Sequence, residues 1–158
     1  KTAISTKSLD LTSKSYTSKE YKNQMYYNIK GYIDDIDNFK KINDTYGHGA
    51  GDAVLKNLSG IFKSTFRDED RVARFGGEEF CVVLKKINKE EAVKFFVNLR
   101  AKVAENEVVI KKQKIRVTIS IGVSFGNGHC EIDDMLEACD SALYTAKENG
   151  RNRVEIAL

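Results

Sequence analysis

The chain has 158 residues, of which 41% are hydrophobic and 31% are charged. This length and composition predict one compact domain with its own core, and they exclude a disordered or fibrous protein. The 26 basic and 23 acidic residues give a formal net charge of +3, which is too balanced to indicate a nucleic-acid surface. No run approaches the ~18 apolar residues of a membrane span, and no signal-peptide pattern opens the chain. Three cysteines without CxxC spacing favour reduced thiols in a cytoplasmic setting.

The first 25 residues differ in composition from the rest of the chain. They are rich in Ser, Thr and Lys and show little apolar periodicity. This predicts a loosely held N-terminal arm over 1–25, with a short helix near Glu20–Tyr27. Residues 26–158 contain no repeat or low-complexity tract and are predicted to form the single domain.

Strand-like and helix-like apolar periods alternate along 26–158. Pro is absent, so Gly, Asn and Asp must end the elements. The predicted elements, in chain order, are a strand at Tyr32–Ile36, a helix at Phe39–Tyr46 ended by Gly47, a helix at Ala50–Phe66, two hairpin strands at Arg71–Phe75 and Phe80–Leu84, a helix that begins at the N-cap Asn88, a strand at Ile115–Val123, a helix from Ile132 to Ala146 ended by Gly150, and an edge strand at Val154–Ala157. This order predicts an α/β (α+β) two-layer domain, with a mostly antiparallel central sheet flanked by helices.

Acidic residues stand at the end of the first predicted strand. Asp35 and Asp37 are two residues apart, so they share one face of the strand, whereas Asp34 points to the other face. Carboxylates at a strand end form an oxygen-rich site that suits Mg²⁺ together with substrate phosphates. A solvated turn in which an Asp caps the next helix explains the same residues equally well.

The tip of the predicted hairpin reads Gly76-Gly77-Glu78-Glu79. Two glycines let the backbone adopt positive φ and allow a bulky ligand close to the main chain. A tight turn with exposed glutamates is the simpler interpretation of this segment alone. Together with the aspartates, however, the two acids suggest a divided metal site, which favours metal-assisted phosphoryl transfer.

Four separated motifs, in the same order along the chain, resemble those of the GGDEF family of diguanylate cyclases. They are DIDNFKKINDTYGHGAGDAVLK (Asp35–Lys56), RFGGEEF (Arg74–Phe80), ISIGVS (Ile119–Ser124) and the segment from Cys139 to Asn152. The resemblance covers about 30–156 and implies the palm-like nucleotidyl cyclase fold. It also implies the reaction, in which two GTP molecules condense into cyclic di-GMP and release two pyrophosphates.

The resemblance implies a metal site and a general base. Asp35, the backbone carbonyl of Ile36 and the Glu78 carboxylate would hold two Mg²⁺ or Mn²⁺ ions per active site. Glu78 would also act as the general base, and Glu79 would support the metal site.

A further set of matching residues would bind GTP. They are Phe39 and Lys40, whose amides open a helix and would bind phosphate, Asn43 and Asp52, which would read guanine, His48, Gly76 and Gly77, and Lys147 and Arg151, which would contact the γ-phosphate. The chemistry fits, because an Asp accepts from the guanine N1–H and amine while an Asn donates to ring acceptors. From the residues alone, Lys147 and Arg151 are ordinary charges near a helix C-terminus, and His48 could equally structure the loop that contains it.

Arg67 and Asp70 form an R-x-x-D segment shortly before Gly76. At this offset the resemblance implies an inhibitory site that binds the product, cyclic di-GMP. A solvated charge run after a helix is the simpler interpretation. In some family members a second Arg completes this site, and the matching position here is Asn98 with Arg100 nearby, so the second half of the site stays open.

The N-terminal segment departs from the family pattern, since Asp10-Leu11-Thr12 lacks the Gly, Asn and Arg of the usual motif. The main alternative function is a catalytically weak domain that senses cyclic di-GMP through Arg67 and Asp70. A mixed AMP–GMP product is a further alternative, but Asp52 favours guanine on both sides. A polymerase or a mononucleotide cyclase of the same architecture is a more remote one.

The implied reaction requires two chains. Each domain would hold one GTP, so we expect an antiparallel homodimer, with GTP and cyclic di-GMP as ligands and no nucleic acid as partner. We also expect a sensor or regulatory domain outside this chain, in a cytoplasmic protein or in the cytoplasmic part of a membrane-attached one.

Overall fold

The computed structural model describes residues 2–5, 30–126 and 131–158, with side chains described from Ile36 onward. In chain order, the elements within these ranges are β1 (Thr2–Ser5), β2 (Lys30–Ile36), α1 (Phe39–Tyr46), α2 (His48–Thr65), β3 (Arg71–Arg74), β4 (Glu79–Leu84), α3 (Lys89–Glu105), β5 (Glu107–Ile110), β6 (Gln113–Arg116), β7 (Ile119–Val123), α4 (Ile132–Glu148) and β8 (Val154–Ile156). The short helix predicted near Glu20–Tyr27 lies outside the described residues.

Six strands form one sheet in the order β1-β3-β4-β2-β7-β8. Neighbouring strands are antiparallel except β7 and β8, which are parallel. Helices cover both faces of the sheet: Val82 and Leu84 of β4 join the core formed with α2 and α3, whereas Val83 packs with Met135 of α4. The predicted fold class, a mostly antiparallel sheet flanked by helices, is confirmed, and with helices on both faces the domain has three layers where two were expected.

Aromatic side chains fasten α2 and α3 onto β4. Phe80 is 1% exposed and packs edge-on against Phe62 of α2, with ring centroids 5.3 Å apart. Phe66 packs on Phe95 of α3 at the same centroid distance, 5.3 Å. Each such pair contributes roughly 0.5–1.5 kcal/mol beyond its area burial. Because Phe80 directly follows Glu79, this packing also holds the base of the acidic hairpin.

The prediction of a single strand at Ile115–Val123 is wrong. β6 ends at Arg116 and pairs with β5 in a separate two-stranded sheet, whereas β7 begins at Ile119 and joins the main sheet. The alternation continues across this break because Ile115, Val117 and Ile119 are all buried. A period of two therefore records which side chains are buried, and strand pairing decides which sheet each strand joins.

The helix ends follow the predicted signals. Glu91 N–H donates to Asn88 Oδ1 at 2.9 Å, and Asn88 N–H donates to Glu91 Oε2 at 3.3 Å, which forms the capping box expected at the start of α3. α1 ends at Gly47, where φ is 86°, and Gly150 follows α4 with φ of 107°. Glycine adopts this left-handed region without the steric cost that a Cβ brings.

The structure also bears on the N-terminal arm, the cysteines and the expected lack of a membrane span. The sequence did not predict β1, which pairs with β3 inside the segment expected to be a loose arm. Cys81 and Cys139 are buried as reduced thiols, as expected, and Cys130 lies outside the described residues. In the part of the chain that the structure describes, no helix combines the length and the apolar character needed to cross a membrane.

Candidate active site

The end of β2 meets the acidic hairpin at the centre of the sheet. In the β2–β4 register Asp35 lies opposite Glu79, and Ile36 N–H donates to the Glu78 carbonyl at 3.3 Å. The hairpin tip is held by Arg74, whose Nε donates to Gly76 O at 3.0 Å and whose Nη2 donates to Gly77 O at 2.7 Å. Strand pairing therefore places side by side two acidic segments that are more than forty residues apart in sequence.

The donors gathered at this junction suit a hard divalent cation. The N–H and C=O of a strand residue point to the same side of the strand. Because the Ile36 N–H bonds to the Glu78 carbonyl, the Ile36 carbonyl also points toward the hairpin. A carbonyl and carboxylates supply only oxygen ligands, which Mg²⁺ prefers. Among the side chains that the structure describes, no three His, Cys, Asp or Glu residues form a metal-binding group. The resemblance implies two carboxylate ligands, Asp35 and Glu78. Of these two, only Glu78 lies in the part of the chain whose side chains are described, and it is half-buried.

Asp37 departs from both interpretations offered by the sequence. It is 6% exposed, so it does not lie in a solvated turn. Its carboxylate accepts from Thr118 Oγ1 at 2.6 Å, from Ser120 Oγ at 2.5 Å and from Asn152 N–H at 3.0 Å. These bonds occupy the oxygens that would otherwise bind a metal, so Asp37 joins three segments of the fold and does not belong with Asp35 in a metal site.

The start of α1 presents backbone N–H groups for an anion. Asn38, its N-cap, has φ of 57° and makes no side-chain capping bond, and the first turn contains no acidic residue. The first N–H groups of a helix have no partner within the helix, and the helix dipole favours negative charge there. The amides of Phe39 and Lys40 therefore lie two to three residues beyond Asp37, in a position suited to phosphate.

The two residues expected to read guanine lie on either side of the junction between α1 and α2. Gly47 N–H donates to Asn43 O at 2.8 Å, which turns the chain sharply from α1 into α2. Gly51 is buried against the Asn43 side chain so closely that an added Cβ would overlap Asn43 Oδ1. Asp52 follows Gly51 and is exposed. A close contact between α1 and α2, which has no room for a side chain at position 51, thus places Asn43 against the residue that precedes Asp52.

An open cavity of about 500 Å³ extends from Asp52 along α2, with Lys56, Ser59, Lys63 and Arg74 among its lining residues. Its volume lies within the range of small-molecule sites. Ser59 Oγ is buried and makes no hydrogen bond among the described residues. The cavity beside Asp52 is therefore lined by three basic side chains.

The cations expected to contact the γ-phosphate lie at the end of α4. Lys147 is in its last turn, and Arg151 is exposed in the turn that follows. Arg151 and Asn152 have φ of 64° and 47°, a left-handed conformation that costs about 1–2 kcal/mol for a residue other than glycine. Arg151 N–H donates to Ala146 O at 2.9 Å. His48 is exposed at the first residue of α2.

The R-x-x-D segment forms an ion pair with a buried carboxylate. Asp70 is 0% exposed and accepts from Arg67 N–H at 2.8 Å, from Nε at 3.2 Å and from Nη2 at 2.9 Å. The hydrogen bond to Asp70 raises the pKa of the Arg67 guanidinium above its usual range. A solvated charge run is therefore the wrong description of Asp70. Arg67 Nη2 also donates to Lys85 O at 2.7 Å, so the guanidinium is held on the surface in one orientation.

The residue that could complete the inhibitory site points elsewhere. Arg100 Nη1 donates to Asn152 Oδ1 at 2.9 Å, which directs it toward the turn after α4. Asn98 is exposed on the same helix.

Sequence reasoning also missed Thr118, Ser120 and Asn152 as partners of Asp37, because hydroxyl and backbone N–H donors carry no sequence signal for a partner about eighty or more residues away.

Comparisons with known proteins show which family the sequence resembles. The sequence model of the family described as "Diguanylate cyclase, GGDEF domain" matches residues 13–153. The chain is 48% identical over 124 residues to Diguanylate cyclase A of Treponema denticola, which covers 78% of this chain and 33% of that protein. It is 38% identical over 125 residues to Diguanylate cyclase DosC of Escherichia coli K12, covering 78% and 27%. The chain thus spans about a third of the length of these curated relatives.

Solved structures show the same fold. The GGDEF domain of DgcB from Caulobacter crescentus, in complex with c-di-GMP, superposes with a TM-score of 0.82 at 25% identity, over 94% of this chain and 96% of that one. The active GGEEF domain of a diguanylate cyclase from Vibrio cholerae is 36% identical, with a TM-score of 0.75, over 87% of this chain and 88% of that one.

Proposed function

The chain belongs to the GGDEF domain family of diguanylate cyclases, and on that basis we propose that it condenses two GTP into cyclic di-GMP. One observation carries the proposal: the Ile36–Glu78 backbone bond of 3.3 Å joins the end of β2 to the acidic hairpin. Beside that junction α1 presents its uncapped N-terminus. Oxygen ligands next to an anion-binding helix end are what a metal-bound polyphosphate requires.

Asp35, the Ile36 carbonyl and Glu78 would hold two Mg²⁺ or Mn²⁺ ions. Such ions, when bound, neutralise phosphate charge and lower the pKa of an attacking hydroxyl. Glu78 would accept the proton of the 3′-hydroxyl, whose oxygen then bonds to the α-phosphorus of the other GTP. The bond from that phosphorus to the β-phosphate bridging oxygen breaks, and pyrophosphate leaves. Glu79, opposite Asp35 in the register, would support the metal ligands.

The remaining residues would bind and orient GTP. Asn43 and Asp52 would pair with guanine, with the basic cavity beside Asp52 leaving room for the base. The amides of Phe39 and Lys40 would bind the phosphates from one side, and Lys147 and Arg151 would neutralise the γ-phosphate from the other. Gly76 and Gly77 would let the hairpin approach the nucleotide closely, and His48 would lie at the edge of the same site.

One site presents one GTP, so we propose that catalysis requires an antiparallel homodimer. Two copies would each hold one nucleotide, and each 3′-hydroxyl would attack the α-phosphate held by the partner. We further propose that a regulatory domain is joined to this one in the whole protein, since the matched segment makes up only 33% and 27% of the curated relatives. The reaction would take place in the cytoplasm, where GTP is available.

The experiment is incubation of the chain with GTP and Mg²⁺ or Mn²⁺ at several protein concentrations, with products identified by mass. Cyclic di-GMP is expected, and its rate should rise more steeply than linearly with protein because a dimer must form. Glu78→Ala should lower turnover by at least about 10²-fold, since it removes a general base and a metal ligand. Glu90→Ala, at an exposed position on α3, is the matched control and should leave turnover unchanged. Turnover by Glu78→Ala close to that of the unmodified chain would contradict the assigned role.

We further propose that Arg67 and Asp70 bind the product, cyclic di-GMP, and that the bound product inhibits the cyclase. The alternative is a catalytically weak domain that senses cyclic di-GMP through the same two residues. The support is that Arg67 is 42% exposed and fixed in orientation by the buried Asp70. Its Nη1 is paired with the Glu69 carboxylate at 3.0 Å, so a guanine edge or a phosphate would bind Arg67 by displacing Glu69. A domain that binds cyclic di-GMP and makes none at any protein concentration would be a sensor. A domain that makes it and slows as it accumulates would be an inhibited cyclase.

A further inference from the structure

We propose that Asp37 is a positioning residue that fixes the turn 150–152, and through it Arg151, against the end of β2, which carries the metal ligands proposed above. The proposal deepens the proposed function, since it rests on Arg151 contacting the γ-phosphate of GTP. It arises from a carboxylate that the reaction itself does not use.

Asp37 lies at the junction of three segments. Its own N–H donates to Thr118 O at 2.9 Å, which ties the chain after β2 to the residue before β7. Its carboxylate accepts the hydroxyls of Thr118 and Ser120 at 2.6 and 2.5 Å, and the N–H of Asn152 at 3.0 Å. Asp37 is 6% exposed and Ser120 is 0% exposed, so water has little access to the Asp37 end of these bonds.

The turn that Asp37 holds is one that the chain would not adopt without support. Arg151 and Asn152 are consecutive residues with positive φ, after a glycine that also has positive φ. Such a conformation persists only where its surroundings determine it. Asp37 binds the Asn152 N–H from the sheet side, and Arg100 binds the Asn152 side chain from α3 at 2.9 Å. Arg151 stands immediately before this doubly held residue.

The other end of the connection is the strand that bears the metal ligands. Asp37 directly follows Ile36, whose N–H is bonded to Glu78 O at 3.3 Å. One side chain therefore links the site of the α-phosphate chemistry to the cation expected at the far end of the triphosphate. Fixing both ends in one frame orients the polyphosphate without a further contact to it. Removing the Asp37 charge should therefore weaken the contribution of the terminal phosphate and leave guanine recognition intact.

The test compares 3′-deoxy-GTP, which has no attacking hydroxyl, with 3′-deoxy-GDP in Mg²⁺. Equilibrium affinities for both ligands are measured for the unmodified chain, Asp37→Asn, Arg151→Gln and the double variant. Arg151→Gln should lower the preference for the triphosphate about tenfold, the size of one charge-assisted contact. Asp37→Asn should lower it severalfold, with little change in diphosphate affinity. The double variant should match Arg151→Gln, because both changes act on the same contact.

Two controls separate positioning from general loss of stability. Val103→Ala, a buried substitution on α3, should lower the melting temperature without changing the ratio of the two affinities. If Asp37→Asn fails to fold, Arg100→Ala tests the same turn from its more exposed side and should lower the preference to a smaller extent.

Equal weakening of both ligands by Asp37→Asn, or additive losses in the double variant, would overturn the positioning role. If Arg151→Gln itself leaves the preference unchanged, the assignment of Arg151 under the proposed function is wrong, and the positioning role falls with it. These outcomes differ, so the two failures are distinguishable.

Discussion

Among single residues, Gly51 sets how closely α2 approaches Asn43, one of the two residues proposed to bind guanine. A Cβ at this position would overlap Asn43 Oδ1 and lie 3.0 Å from Phe39 Cζ. Gly51→Ala should therefore displace the Asn43 side chain and raise the KM for GTP by about tenfold, which corresponds to the loss of one good hydrogen bond. Steady-state kinetics at saturating Mg²⁺ would measure this.

The neighbouring glycine provides the control for that substitution. A Cβ at Gly49, in the same first turn of α2, meets no atom within 4 Å. Gly49→Ala should leave the KM close to that of the unmodified chain. An equal rise in both variants would mean that the turn tolerates no side chain in general, and that the Asn43 contact is not the cause.

Arg67 pairs with the buried Asp70 carboxylate and also belongs to the proposed product site. Truncating it leaves the buried Asp70 carboxylate with fewer donors, so Arg67→Ala should destabilise the fold by about 1–3 kcal/mol. If this segment is the proposed product site, the same substitution should also relieve inhibition by cyclic di-GMP. Chemical denaturation would measure the free energy of unfolding, and initial rates with added product would measure the inhibition constant.

The double variant Arg67→Ala/Asp70→Asn separates these two effects. Asp70→Asn removes the buried charge, so the double variant should be less destabilised than Arg67→Ala, while inhibition stays relieved. An unchanged inhibition constant in both variants would argue against a product site at this segment.

At the scale of elements, the β5–β6 hairpin depends on charges across its register. Glu107, opposite Arg116, pairs with Arg116 at 2.8 Å and with Lys114 at 2.9 Å. Hydrogen bonds from Lys114, then from Arg116, lower the pKa of Glu107 below its ordinary value of 4.5. A lowered folded-state pKa means that this contribution is fully present above pH 4.5 and is lost as the pH falls through the folded-state pKa.

Glu107→Gln should therefore lower the melting temperature slightly at neutral pH, and the difference from the unmodified chain should vanish at acid pH. Added salt should also reduce it, because the pair is exposed to solvent. Melting curves between neutral and acid pH would measure this. Glu137→Gln, at an exposed position on α4, is the control. A difference that persisted unchanged in acid would mean that the ion pairs do not stabilise the hairpin.

The element scale also explains which parts of the sequence prediction failed. Ile115–Val123 is divided between two sheets because the pairing partner of β6 is β5, which the sequence pattern did not reveal. The β5–β6 turn is made by Lys111 and Lys112, both with positive φ, and two lysines carry none of the Asn or Gly signal that marks such a turn. Local chemistry did identify the Asn88 capping box, because both of its partners lie within one helical turn.

At the scale of the whole molecule, the candidate site is assembled from three separate parts of the chain. β2 lies in the middle of the sheet between β4 and β7, so its end meets both the acidic hairpin and the turn after α4. That turn lies near the sheet because Gly122 admits α4, where a Cβ would overlap Cys139 O. The central strand thus sets where the acids and the cations stand relative to each other.

Local patterns along the chain were enough to predict the residue types of the candidate site and most of the helices and strands. Patterns such as RFGGEEF and the helix from Phe39 to Tyr46 depend on neighbours within a few residues, where propensity and periodicity act. Tertiary structure alone decided that Asp37 binds Thr118, Ser120 and Asn152 rather than a metal, and that the Asp70 carboxylate is buried. Whether a carboxylate is buried and hydrogen-bonded depends on groups that strand pairing brings together. These groups are far apart in the sequence, so no local pattern reveals that they are neighbours in space.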